Sequence, residues 1–238
     1  MDVRSLWRTL DRDTRRGIAL VCVADAVVGV SFGAITIGGG LAVWVPVAMS
    51  LLVFAGGAQF AAIGVVLAGG SPLAGVATGL ILNARHIPFG FAVGDVLGGP
   101  WWKRGLGAHV MIDESVAFTQ RQTDQRRRRA AFWACGISLF VVWNAAVVAG
   151  SIVGSALGDT DALGLDAAFP AVLLALIMPA MSDAHTRLVG LAAAAIALLA
   201  APVLPAGFPV LLAVASVALA ARAPRSETPP TQPLEKAR

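Results

Sequence analysis

Charge is what this chain has least of: 13% of its 238 residues are Asp, Glu, Lys or Arg, against about 25% in soluble globular domains. Set beside a hydrophobic share of 57%, that scarcity excludes an ordinary water-soluble enzyme. Cysteine is almost as rare. Cys22 and Cys135 lie inside apolar stretches without metal-ligand spacing, so neither a disulfide framework nor a zinc site has anything to work with, and both read as small packing residues. Three histidines supply too few ligands for a metal centre. The phosphate-binding GxxxxGK[ST] string is missing, as are the GxSxG and HExxH strings of hydrolases. No cofactor is expected, and no ATPase partner. Between Arg129 and Arg187 there is no Lys or Arg at all.

What remains is long apolar runs. A helix needs roughly 20 apolar residues to cross a bilayer, and the runs from Gly17 to Gly38, Val45 to Leu67, Leu73 to Leu97 and Ala130 to Ile152 reach that length. Shorter apolar elements follow from Ala167 to Met181, Leu188 to Leu204 and Phe208 to Ala221. The fold class is therefore all-α: a polytopic membrane protein of about six to eight transmembrane helices. Residues 1–16 form a cytoplasmic amphipathic lead-in, 17–221 a single transmembrane domain and 222–238 a disordered cytoplasmic tail. The amino terminus lacks the pattern of a cleaved signal peptide, so the first helix is expected to stay in the mature protein.

The net charge of +4 does not point to a nucleic acid, because the basic residues flank apolar segments instead of forming a face. They fix orientation. Arg4, Arg8, Arg12, Arg15 and Arg16 hold the amino terminus inside, and the run Arg126 to Arg129 holds a second point there. The loop carrying Asp159, Asp161 and Asp166 then belongs outside. An even number of crossings must separate the two basic points, yet three apolar runs lie between them. Either Leu73 to Leu97 is a re-entrant hairpin, which is favoured slightly, or a further span hides in Gly105 to Phe118.

The run from Leu73 to Leu97 carries Asn83, Arg85 and His86 just before Pro88. Proline removes a backbone donor and clashes with the preceding turn, so at least one helix is expected to be broken or re-entrant near Asn83 to Gly90, against protein or water. Ionisable groups at membrane depth are expensive and mark pathways or pairs. On that ground Asp25 is either a proton or cation site or a partner of Arg85. Gln59, in a Gly-Gly-Ala-Gln setting, either meets substrate or bridges helices. Arg85 suits a carboxylate, and His86 is either a proton carrier or a hydrogen-bonded structural residue. Asp113 and Glu114 form a gate or pair with the basic loop, with His109 and Asp113 on one helical face. Asp183 and His185 read as a solvated cap.

Several strings together resemble one family: GVSFG at Gly29 to Gly33, MSLLVFAGGAQF at Met49 to Phe60, NARHIPFG at Asn83 to Gly90, DESVAF at Asp113 to Phe118, Trp143, and LGLDAAFPAVLLALIMP at Leu163 to Pro179. In that order they look like the AzlC family, the large subunit of two-component branched-chain amino acid exporters, over most of Gly17 to Ala221. The resemblance implies a transporter and not an enzyme, a small hydrophobic AzlD-type membrane subunit as partner, and an amino acid as substrate. Asp25 departs from the mostly apolar stretch of the family. Two other readings remain open: an intramembrane enzyme using His109, Asp113 and Glu114, and a structural membrane subunit.

Overall fold

The computed structural model describes residues 3–156, 174, 178, 180–204 and 208–213. Among them there are helices and no strands: α1 (Val3–Thr9), α2 (Arg12–Gly38), α3 (Trp44–Leu52), α4 (Gly56–Leu67), α5 (Pro72–Asn83), α6 (His86–Val93), α7 (Trp101–His109), α8 (Asp113–Gln120), α9 (Gln125–Ala156), α10 (Ala184–Ala200) and α11 (Phe208–Ala213). Three of the described helical stretches are long and apolar enough to cross a membrane: Arg12–Gly38, Pro72–Val93 and Gln125–Ala156. The protein is an all-α, multi-pass membrane protein.

Two compact units divide the chain at Pro179 and Ala180. In the second, Asp183 caps α10 by accepting the backbone N–H of Thr186 at 2.7 Å, the capping role its position suggested. The acidic loop, the LGLDAAFP string and the tail after Ala213 lie outside the described residues. Everything that follows concerns the first unit.

Its frame is the pair α2 and α9, which run parallel. Gly29 packs on Ala146, Gly33 on Val147 and Ser151, and Gly154 on Ala34 and Ile37. Small residues let the two backbones approach closely, the usual way helices associate where lipid removes the hydrophobic incentive. Because the two run the same way, the ends carrying Arg12 and Arg126 lie on one side of the bundle.

The pieces between them show which runs cross. α3 follows the far end of α2. Ser50 near its end donates to Asn144 Oδ1 at 2.7 Å, ten residues below Gly154 on α9 and so about 15 Å inward. α4 starts at that depth, where Gly56 lies against Trp143, and returns to the far side, where Leu67 meets Gly39 at the end of α2. The run from Val45 to Leu67, expected as one span, is therefore a re-entrant hairpin. Its tip is Val53 to Ala55.

From the far side α5 descends antiparallel to α4, with Gly75 and Gly79 against Ala62 and Ala58. α6 continues to Asp95, which pairs with Arg128 of α9 at 3.1 Å. This stretch crosses fully and is not the hairpin that crossing parity had favoured. It is interrupted, at Ala84 and Arg85. Pro88 follows as the third residue of α6, within the first turn, whose N–H groups have no intrahelical partner in any case, so the break precedes it.

A second hairpin enters from the near side. α7 starts where Gly98 accepts from Arg129 at 3.3 Å and climbs until the His109 ring lies 5.4 Å from that of Phe140. α8 descends until Phe118 meets Gly17, and Gln122 just beyond donates to Thr14 at 3.2 Å. Two crossings, α2 and α5–α6, thus separate the basic ends, and the parity conflict disappears.

Candidate functional site

The two hairpins enter from opposite sides and meet at mid-depth. His109 Nε2 donates to the Leu51 carbonyl at 2.9 Å, tying one tip to the other. The break of α5–α6 lies beside them. Three interruptions of helical backbone thus converge within the bundle, and irregular backbone survives at membrane depth only against protein or a water-filled cavity.

A cavity of about 330 Å³ occupies the junction, lined by Asp25 and Val28 of α2, Phe54 to Gly57 of the first tip, Arg85 of the break, Ile112 to Glu114 of the second tip and Trp143 of α9. That size falls in the ~300–1,000 Å³ range of small-molecule sites. Four of the expected site residues, Asp25, Arg85, Asp113 and Glu114, come together here.

The polarity of the cavity is split. Arg85 Nη1 donates to Asp113 Oδ2 at 2.5 Å, so Arg85 pairs with Asp113 and not with Asp25, and Asp113 pairs with Arg85 and not with the basic loop. The pair is 40% and 45% exposed, so a solute can reach it. Beside the guanidinium begins α4: a Cβ on Gly57 would lie 3.8 Å from Arg85 Nη2. Ala55, at the N-cap of α4, offers no side-chain bond to the first turn, which holds no acid; Gln59 takes only the Ala55 N–H, so the positive dipole end opens toward the cavity at Gly56 and Gly57, glycines that let a ligand approach the backbone. α8 also starts at the cavity, but Asp113 and Glu114 stand in its first turn and Ser115 Oγ accepts the Ile112 N–H at 2.9 Å. The α8 start is thereby made acidic. One wall therefore favours an anion, through Arg85 and the α4 terminus. The other favours a cation, through Asp25, Glu114 and Asp113, whose Oδ1 is buried without a partner.

The remaining expected residues lie elsewhere. Gln59 is fully buried and shapes the first tip, its Oε1 accepting the Ala55 N–H at 3.2 Å. Asn83 and His86 line a second cavity of about 280 Å³ with Val53, Phe54, Ala108, His109 and Met111. His109 and Asp113 do not share a helical face, because the helix ends between them and the register is lost at the tip. Sequence reasoning missed Phe54, Gly56, Gly57 and Trp143 as cavity residues. The signal was Gly56-Gly57 in the middle of an apolar run.

A family described as "AzlC protein" matches residues 20–157, more than half of the chain. The chain belongs to the AzlC family. This is a family of transporter subunits, and the matched region contains both hairpins, the broken span and every cavity residue named above. Two relatives from Helicobacter pylori, strains 26695 and J99, are each 27% identical over 154 residues, covering 64% of this chain and 67% of theirs, and each is named an uncharacterized membrane protein. No solved structure matches.

Proposed function

We propose that this AzlC-family chain is the large subunit of a secondary transporter that exports branched-chain and related apolar amino acids across the cytoplasmic membrane, with the amino terminus, Arg126 to Arg129 and the carboxyl terminus on the cytoplasmic side. The observation that carries the reading is the split polarity of the first cavity. A zwitterionic amino acid needs an anion site and a cation site a few ångströms apart, with an apolar surface beside them. Arg85 and the backbone N–H groups at the start of α4 receive the carboxylate, much as half-helix termini do in other transporters. Asp25, Glu114 and the free Oδ1 of Asp113 receive the ammonium. Val28, Phe54, Ile112 and Trp143 face the apolar side chain.

Asp25 stands eight residues beyond Gly17, about 12 Å along α2, where an ionisable group is costly unless it is used. It and Glu114 are the proposed proton carriers. A small hydrophobic AzlD-type subunit is the proposed partner.

The test is reconstitution of the chain with that subunit in vesicles loaded with labelled leucine. Efflux driven by an imposed proton gradient supports the reading, and Asp25→Asn is expected to abolish the gradient dependence while the protein still folds. Absence of counterflow with every amino acid tried would overturn it.

A further inference from the structure

The second cavity shares one lining residue with the first, Phe54. We propose that this second chamber is a transit site for the ammonium end of the same solute, with Phe54 as the movable wall between the two positions; the proposal rests on the amino-acid reading above. Its chemistry differs from that of the first cavity. No carboxylate and no guanidinium lines it. His109 gives its Nε2–H to the Leu51 carbonyl, which can only accept, and so keeps a lone pair on Nδ1. By the same argument His86 gives its Nδ1–H to the Asn83 carbonyl at 3.0 Å and keeps a lone pair on Nε2. Asn83 Oδ1 is buried with no partner. With both imidazoles in the neutral form, three acceptors remain, and the Asn83 amide is the one side-chain donor. An ammonium group, with three donors, matches such a chamber, and an aromatic wall adds to its hold on a cation. Neutral acceptors also hold it less firmly than carboxylates do, which suits a position the solute must leave.

Phe54 can serve as the wall because its backbone is held in a strained conformation. At φ +43° it is the one non-glycine residue among those described with a positive φ, a conformation that bulky residues seldom adopt. Its ring is buried and stands edge-on to Phe140 at 5.0 Å. A shift of the tip to ordinary backbone angles takes the ring out of the shared wall and joins the two cavities.

The experiment uses the chain with its small partner in vesicles, with leucine and 4-methylpentanoate, its analogue without the ammonium group, as probes. Asn83→Leu is expected to slow leucine counterflow about tenfold while the equilibrium Kd for leucine changes less than about threefold, since the first cavity is intact, and Asn83→Gln restores most of the rate. Phe54→Leu is expected to raise leucine leak without exchange several-fold. Counterflow of 4-methylpentanoate is expected to be indifferent to Asn83→Leu, and a loss in step with that of leucine would overturn the ammonium assignment. If the unaltered protein neither binds nor exchanges leucine, the amino-acid reading itself fails. If it does both, and Asn83→Leu exchanges at full rate, or loses Kd in step with rate, or Phe54→Leu leaks no faster, the transit site is overturned alone.

Discussion

Arg85 reaches Asp113 at 2.5 Å, and that bond joins the break in the α5–α6 span to the tip of the α7–α8 hairpin. Asp113→Asn is expected to lower leucine efflux by about tenfold or more, because the guanidinium loses the charge that aims it at the cavity. The stability cost is expected to be small, on the order of 1 kcal/mol, since both partners are more than a third exposed. Efflux and thermal unfolding of the same purified variant separate the two effects.

The parallel packing of α2 and α9 gives a second expectation. A Cβ on Gly33 would overlap the Val147 carbonyl, and one on Gly150 the Val30 carbonyl, and backbone cannot step aside as a side chain can. Gly33→Ala and Gly150→Ala should each cost about 1–3 kcal/mol by overpacking. Gly105→Ala, which meets nothing within 4 Å, serves as the control. Equal melting temperatures for all three would contradict the close packing of α2 on α9.

Topology can be read with single cysteines in a background where Cys22 and Cys135 are replaced. Positions 40 and 70 should label from one side of the membrane, and positions 99 and 123 from the other. Labelling of 70 and 99 from the same side would mean that α5–α6 does not cross.

Acid should act on the pair Asp95 and Arg128. The Arg128 guanidinium, followed by the Gln125 side chain, holds the Asp95 carboxyl below its ordinary value. Its folded value is the lower one, so its contribution is complete above the unfolded value of about 4 and is lost as pH falls through the folded value. Asp95→Asn should therefore be less stable than the unaltered chain at neutral pH, and the gap should close only in strong acid. A gap that closes between pH 5 and pH 7 would refute the pairing.

Much of this was legible in the residues. The long apolar runs, the basic ends and the AzlC-like strings gave the class, and crossing parity announced that some run had to turn back. Parity does not say which run turns back, because hydropathy reports length and not direction. Nine residues of α3 and twelve of α4, joined through Val53 to Ala55, have the profile of one span. Only Gly56-Gly57 hints at the turn. α7 and α8 escaped because α7 carries Lys103 and Arg104 and both helices are short. Of the candidate site, the charged members could be named because charge at depth is conspicuous. The glycine backbone at the start of α4 and the ring of Phe54 carry no such mark, and they acquire their meaning only when three separate breaks are brought to one point.

The near-side hairpin also bears on biogenesis. Neither α7, with nine residues, nor α8, with eight, can partition into lipid alone, and their walls are Gly136, Trp133 and Phe140 of α9, which leave the ribosome later. The hairpin must wait at the membrane surface until α9 has threaded, then fold back into a slot that its successor completes. A nascent chain stalled ahead of α9 is thus left with a stretch of unburied protein at the membrane face, offered to quality-control proteases.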